Sequence, residues 1–373
     1  MPAIRQVEMD IVVDATWQRR LLALLAHHVT GFSIDKSAVG FADLGIDSFA
    51  MVELRVDVER LIGHPLPDAV WLALASPADL LAAVGSARPA QHPARRAGDM
   101  LRRDYALNMP HMALGGLSEY WLCKELGDAH WAMITEGLGV ASRELRDGQG
   151  DRLYATFTRL CFTAGSPLWS FVENEQASLT ARIERTGAAM FFSEQTFAAA
   201  GATIAASVMS TFARRGSATS NTSLTRGQPA VPASCPIVDR GTMPEIGTGY
   251  RARRAALISE AASLPVLYER TYDILPYHDI NGVGLLYFAA YPVISDLCEL
   301  TYMSRGNDWA MQASTLARDV CYLANCDLGD GIVYRVHARR DEPGAIELET
   351  SLSRTSDGRL MAYLVTRKEV RDA

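Results

Sequence analysis

The chain has 373 residues, a length that predicts two or three domains rather than one core. Hydrophobic residues make up 49% and charged residues 21%, the balance of an ordinary soluble globular protein, and a net charge of -7 gives no reason to expect nucleic-acid binding. No run approaches the ~18 apolar residues of a membrane span, the first ten residues lack the apolar segment of a signal peptide, and six scattered cysteines without a Cys-x-x-Cys pair predict reduced thiols in a cytoplasmic protein.

Residues 16–29 carry Trp17, Leu21, Leu24, Leu25 and His28 on one side and predict an amphipathic helix. A loop without periodicity follows over 31–45 and ends in Leu44-Gly45-Ile46-Asp47-Ser48. Asp47 is a competent N-cap, and Phe49, Val52, Val56 and Leu61 follow at helical spacing until Gly63-His64-Pro65 stops the helix. A short helix is predicted over 68–75, and Ser76-Pro77-Ala78-Asp79 opens a last one through 84. A serine hydroxyl is thereby placed at an exposed helix start beside an acidic residue. Over residues 11–87 the pattern resembles the acyl carrier protein family. The resemblance implies an all-α four-helix domain in which Ser48 bears 4′-phosphopantetheine, attached by a phosphopantetheinyl transferase, with an acyl group carried on its thiol.

Residues 88–100 lie in a stretch rich in Pro, Ala, Gly and Arg and predict a mobile linker, which raises the effective concentration of the carrier near the C-terminal part of the chain. Two glycines, Gly115 and Gly116, then lead into a helix opened near Ser118 and ending near Trp131. Strands are predicted over 153–162, 171–175, 187–193 and 202–212, with a polar loop over 214–236. A shift of 167 positions aligns His111 with His278, Gly115 with Gly282, Tyr120 with Tyr287 and Trp121 with Phe288. The second copy continues with a helix over 285–300 and strands over 314–323, 331–339, 346–354 and 360–368. A helix wrapped by antiparallel strands, twice over, predicts an α+β double hot-dog domain, the first hot-dog at 101–236 and the second at 237–373. Its active sites are expected between the halves, near the starts of the central helices, where free backbone N–H groups meet a carbonyl oxygen.

His111-x-x-x-Gly115 and His278-x-x-x-Gly282 resemble the start of a hot-dog dehydratase motif, but Tyr120 and Tyr287 replace its proline. No Gly-x-Ser-x-Gly elbow, Gly-x-Gly-x-x-Gly or histidine cluster with metal spacing is present, and no metal is expected. Met109-Pro110-His111-Met112, Gly116-Leu117-Ser118-Glu119, Trp121-Leu122, Glu125-Leu126-Gly127-Asp128, His130-Trp131 and Arg152-Leu153-Tyr154-Ala155-Thr156 together resemble the leinamycin-pathway type of bifunctional acyltransferase/decarboxylase. That resemblance covers roughly 101–373. It implies an enzyme that takes methylmalonyl or malonyl from coenzyme A, decarboxylates it and loads propionyl or acetyl on a carrier thiol for a downstream polyketide synthase or ketosynthase. It also implies an acyl-tyrosine intermediate, for which Tyr154, on a predicted strand after the first central helix, is the candidate. A phenol needs a base or nearby dipoles to act as a nucleophile, and His111 is the candidate to relay its proton.

Backbone N–H groups of Gly116, Leu117, Ser118 and Gly282 and the amide of Asn281 are candidate donors to the thioester oxygen. Tyr154 reads equally as a half-buried strand aromatic, and Asn281 as a turn residue beside glycine. A dehydratase or thioesterase working through His111 or His278 is the alternative enzyme. A carrier fused to a non-catalytic docking hot-dog is the alternative without chemistry.

Overall fold

A computed structural model describes residues 19–29, 31–62, 66, 68–86, 100–114, 116–186, 190–217, 220–230, 242–303 and 307–371. They belong to two compact units, Met1–Pro93 and Ala94–Ala373. The first eight residues of the expected carrier domain, the helix stop at 63–65, the predicted linker at 88–99 and Gly115 lie outside the described residues.

Among the described residues the first unit holds four α-helical segments, α1 (19–28), α2 (Ser48–Ile62), α3 (Asp68–Ala73) and α4 (Pro77–Ser86), and a 3-10 turn at Ile34–Lys36. Leu21, Leu25, Phe41, Ile46, Leu54, Val58, Trp71 and Leu80 make its core. The loop before α2 is pinned rather than loose, because Phe41 N–H donates to Ala75 O and Ala78 N–H donates to Ser37 O. Asp47 Oδ1 accepts from Ala50 N–H at 2.8 Å, the expected N-cap. The buried face of α2 differs from the expected one. Leu54 and Val58 point inward, whereas Val52 and Val56 are 58% and 48% exposed. Both stripes have helical spacing, so periodicity alone could not choose between them.

The second unit is built on an 11-stranded antiparallel sheet. Its strands are β1 (Leu101–Ala106), β4 (Tyr154–Ala164), β5 (Gln176–Thr186), β6 (Met190–Ala199), β7 (Ala202–Ser217), β8 (Ser220–Arg226), β9 (Tyr268–Asp273), β10 (Ala313–Tyr322), β11 (Gly331–Glu342), β12 (Ala345–Arg354) and β13 (Leu360–Val370). The spatial order is β1-β5-β6-β7-β4-β10-β13-β12-β11-β9, with β8 on β7. Inward from either end, each half has its strands in the same order, first-third-fourth-fifth-second. The halves join where β4 pairs with β10, a seam clamped by Arg159 Nε and Nη2 on the two Asp319 carboxylate oxygens at 2.9 Å each.

Each half contributes a central helix, α5 (Glu119–Leu138) and α8 (Ala290–Tyr302). α5 is capped by Ser118 Oγ, which accepts from Trp121 N–H, and ended by Gly139 at φ 64. The large antiparallel sheet with buried helices is a hot-dog-like arrangement. No described helix is long and apolar enough to cross a membrane.

The repeat holds in topology and slips in register. A short helical turn at Met109–His111 and a two-stranded hairpin of β2 (Met112–Ala113) and β3 (Gly116–Leu117) precede α5; α7 (Pro276–Asp279) and an Ile280–Leu286 bridge precede α8. The helix starts lie four residues further apart than the two histidines, so Tyr120 corresponds to Tyr291 rather than Tyr287. The predicted helix over 285–300 begins only at Ala290, because Asn281 Oδ1 accepts the Val283 and Leu285 N–H groups and holds a turn there.

Other expectations are corrected as well. Residues 171–175 are not a strand, since Asn174 takes φ 69 and the strand starts at Gln176. The predicted polar loop over 214–236 contains the end of β7 and all of β8, whose Ser and Thr side chains suit an exposed edge. A helix with no counterpart among the predicted elements, α6 (Thr242–Glu260), links the halves in sequence, and a short α9 (Asn307–Gln312) precedes β10.

Gly127 of α5 packs directly against the other half: a Cβ there would lie 2.1 Å from Cζ of Phe288. Gly127→Ala should therefore destabilise the unit by about 1–3 kcal/mol despite the better helix propensity of alanine, read as a lower denaturation midpoint; an unchanged or higher midpoint would contradict this packing.

His130, in the middle of α5, is fully buried between Ser193 Oγ at 2.7 Å and Ser210 Oγ at 2.8 Å, and burial pushes its pKa down to about 3. An unfolded histidine titrates near ~6.5, so the unfolded chain takes up the proton first and this contribution is complete above that pH and fades as pH falls toward 3. Denaturation curves from pH 7.5 to 5 should show wild type losing stability on acidification, with a flatter profile for His130→Gln; parallel profiles would refute the assignment.

Candidate functional site

A cavity of about 790 Å³ opens at the β4–β10 seam. The first half supplies the starts of β4 and the ends of β7 and β8, the second half supplies the loop at 281–288 and residues 322–325, and α6 contributes Tyr250, Arg251 and Arg254. It therefore lies between the halves beside the start of a central helix, the expected place, but at α8 rather than α5.

The loop that lines it is held from three sides. Arg215 donates to Val283 O and to Asn221 Oδ1, and Asn221 Nδ2 donates to Gly284 O at 2.6 Å and Cys326 O at 2.9 Å. Asn325 takes both polar groups of Leu286, accepting from its N–H and donating to its O, each at 3.0 Å. Tyr322 OH donates to Phe288 O, and Tyr291 OH donates to Ala324 O. Below the loop Asp279 is fully buried, and its carboxylate accepts from Tyr272 OH and Leu275 N–H while facing His278 Nδ1 at 2.8 Å.

Within this frame Asn281 has a fixed orientation. Its Oδ1 is occupied by two loop N–H groups, at 3.1 Å from Val283 and 3.0 Å from Leu285, while its Nδ2 has no partner among the described residues. A buried-edge amide of this kind is an oriented donor to an oxygen placed in the cavity. Asn281 is thus at once the turn residue and the donor candidate. Gly282, next to it, has open space where a side chain would be. Tyr287 also lines the cavity, and its phenol is pushed up to about 12, first by burial and then by the neighbouring Tyr120 and Asp128, so it stays protonated at neutral pH.

The sequence candidates of the first half fall elsewhere. Tyr154 begins β4 with its ring between two guanidinium groups, 5.3 Å from Arg152 and 5.4 Å from Arg215. It does not line the cavity, although its strand neighbours Ala155 and Ala213 do. His111 pairs its Nδ1 with Asn108 N–H and packs edge-on against Trp121 at 4.7 Å. Leu117 is buried, Ser118 is engaged as the cap of α5, and Gly116 takes φ 103 where a Cβ would lie 2.3 Å from Leu168 O and Trp169 Cα. Gly116 is required by close packing. His278 stacks on Tyr120 at 5.2 Å, and neither it nor His111 lines the cavity.

Asn221, Asn325 and the arginines of α6, β8 and the turn before β13 are not among the sequence candidates. Asn221 stands inside a run of Ser and Thr that reads as loop, and only topology brings it to Gly284.

In the first unit α2 opens at position 48, directly after the exposed cap residue Asp47. Residues 20–84 match the phosphopantetheine attachment site family. No curated protein sequence matches the chain.

Among solved structures, a protein described as an oleoyl thioesterase from Lactobacillus plantarum is similar at 10% identity, over 74% of this chain and 96% of its own, with a TM-score of 0.53. A 12:0-ACP thioesterase from Umbellularia californica matches at 10% identity over 73% and 94% with a TM-score of 0.49. An acyl-ACP thioesterase from Bacteroides thetaiotaomicron matches at 12% over 72% and 98% with 0.43. At such identities the likeness is one of fold. The chain thus joins a phosphopantetheine-attachment domain, which carries the prosthetic arm covalently, to a large unit with a thioesterase-like hot-dog fold.

Proposed function

We propose that this chain is an acyltransferase/decarboxylase that takes a methylmalonyl or malonyl group from coenzyme A, removes carbon dioxide and delivers propionyl or acetyl to a carrier arm, with Ser48 the arm's attachment point. The observation that carries the reading is the pairing, in one chain, of a phosphopantetheine domain with a cavity that presents an oriented amide, Asn281 Nδ2, beside the start of a central helix. The arm supplies a thiol that holds acyl groups as thioesters. A phosphopantetheinyl transferase must install it, reading the helix start at Asp47 and Ser48.

The two halves of the reaction make different demands. Decarboxylation needs the thioester oxygen held by donors while the electron pair of the breaking C–CO₂ bond delocalises onto it, and Asn281 Nδ2 is the donor proposed for that oxygen. The resulting carbanion takes up one proton. Transfer needs an acceptor; Tyr154 is proposed for that role although its ring lies outside the cavity lining, at the start of the strand whose next residue, Ala155, lines it. The Tyr154 phenol oxygen bonds the acyl carbon as the C–S bond of coenzyme A breaks and the phenol proton leaves with the coenzyme A thiol. The carrier thiol then bonds the acyl carbon as the tyrosyl C–O bond breaks, and its proton returns to the phenol oxygen. Aromatic and apolar lining from Phe157, Leu286 and Phe288 keeps the departing carboxylate poorly hydrated and strengthens each donor contact. The fold likeness to a thioesterase favours a second reading, in which water takes the acyl group and free acid is released.

Intact mass spectrometry of the pantetheinylated chain after incubation with methylmalonyl-coenzyme A should show a propionyl adduct. A retained methylmalonyl adduct would remove the decarboxylation, free acid without an adduct would select hydrolysis, and no turnover would overturn both readings. Ser48→Ala should abolish the adduct on the carrier arm, leaving at most the acyl-tyrosine ester, while coenzyme A release persists. Asn281→Asp, which keeps the oxygen that accepts from Val283 and Leu285 N–H and removes the Nδ2 donor, should lower the rate ~10²-fold or more, the usual cost of one donor at a developing oxyanion, with folding unchanged by circular dichroism. Tyr154→Phe should abolish transfer, and full activity there would assign the acceptor role elsewhere.

A further inference from the structure

Guanidinium groups on the large unit commonly meet carboxylates: Arg103 meets Asp128, Arg159 meets Asp319, Arg318 meets Glu119, and Arg354 meets Asp357. The cavity breaks this habit. Its lining carries five arginines, Arg226, Arg251, Arg254, Arg354 and Arg359, against a single carboxylate, Asp357, and Arg354 already claims that carboxylate through bonds of 2.7 and 2.9 Å. Arg226, Arg254 and Arg359 have neither an ion pair nor a side-chain hydrogen bond among the described residues. They come from three separate elements, the end of β8, the middle of α6 and the turn before β13.

Three guanidiniums without a carboxylate partner among the described residues, lining one concavity in a chain whose net charge is -7, form a local reversal of sign. Such a reversal raises the local concentration of anions and offers forked donors that match phosphate oxygens. The apolar and amide-bearing part of the same cavity, around Asn281 and Phe288, leaves the phosphate-binding role to the arginine side.

We propose that Arg226, Arg254 and Arg359 form a polyphosphate-recognition site that engages the 3′-phosphate and diphosphate of a free coenzyme A ester. This rests on the acyl-coenzyme A reading above and deepens it. Charge selects the source. A carrier-bound arm presents one phosphodiester with a single negative charge, whereas the coenzyme adds a 3′-monoester of about −1.5 to −2 at neutral pH and a second diphosphate charge. Three cations suit the second ligand. The same asymmetry gives the cavity a direction of traffic, since the donor ester is held by its phosphates and the product on the carrier arm lacks most of them.

The test uses the full chain carrying Ser48→Ala, so that no attached arm competes, and titrates coenzyme A, 3′-dephospho-coenzyme A and pantetheine by calorimetry. Coenzyme A should bind most tightly and pantetheine most weakly, with affinity falling as salt rises. Arg226→Ala, Arg254→Ala and Arg359→Ala should each weaken coenzyme A binding by ~10-fold or more and leave the weak binding of pantetheine unchanged.

Equal affinity for coenzyme A and pantetheine, or coenzyme A binding indifferent to all three substitutions, would overturn the site. Equal affinity for coenzyme A and its 3′-dephospho form would overturn the 3′-phosphate assignment and leave the diphosphate as the group recognised. Arginine-dependent coenzyme A binding without any turnover of methylmalonyl- or malonyl-coenzyme A would uphold this inference while removing the decarboxylating-transferase reading, so the two fail separately.

Discussion

Arg318 is fully buried, and a bare guanidinium in that position would cost more than a fold's entire margin of stability. The structure around it is arranged to prevent that. Nε and Nη2 donate to Glu119 at 2.7 and 3.0 Å, Nη2 also reaches Asp296 at 2.9 Å, and Nη1 donates to Thr366. Lys368 joins Asp296 to Glu299, and Trp309 donates to Glu299. Burial opposes charge on Asp296, yet Arg318 and Lys368 outweigh it and hold that carboxyl below the usual range. The partners come from α5, α8, β10 and β13, so neither half could place Arg318 alone. A buried pair of this kind is weak evidence for extra stability but strong evidence for a fixed mutual position.

The topological repeat gives that cluster a second meaning. The cavity uses β4, β7 and the loop before α8; the corresponding elements of the other half are β10, β13 and the loop before α5. Those elements hold Arg318, Thr315, Thr366, Lys368 and, at the first residue of α5, Glu119. Where one half of the duplicated fold keeps a cavity, the other has filled the corresponding place with paired charge and with the tight hairpin in which Gly116 lies against Leu168 and Trp169. The halves share an architecture and have divided its uses.

How much of the molecule is legible in its sequence depends on the range of each signal. The carrier domain is readable because its determinants are local: a cap at Asp47, a helix stop and a compact run of apolar spacing. Even there the inward face of α2 differs from expectation, since Leu54 and Val58 compete with Val52 and Val56 at the same period and only tertiary packing decides. The repeated hot-dog order is readable from alternating strands around two apolar helices. Its register is not, because the loop before α8 is longer than the hairpin before α5 and a fixed shift cannot represent an insertion.

Asn281 is a donor candidate from its place beside glycine, and the structure puts it on the cavity wall. The first-half candidates rest on symmetry with a helix start, and the repeat is least symmetric at that point. Asn221, Asn325 and the unpaired arginines are invisible in the sequence, since their meaning depends on neighbours 39 to 106 positions away.

The anchoring of the loop at 281–288 also bears on how the protein comes to life. Arg215 reaches it across 68 positions, Asn221 across 63, and Asn325 from 39 positions downstream. Each of these closures must find its partner after the intervening strands are in register, and long-range closures of this kind come late and slowly. The carrier domain's own closures, from Ser37 to Ala78 and from Phe41 to Ala75, lie within the first unit, so all of its residues leave the ribosome before the large unit is made. The amide of Asn281 has no defined direction until residue 325 has been made and docked. The arm-bearing domain can therefore be modified long before the cavity is competent, and the order of synthesis places maturation of the cargo holder ahead of the chemistry that fills it.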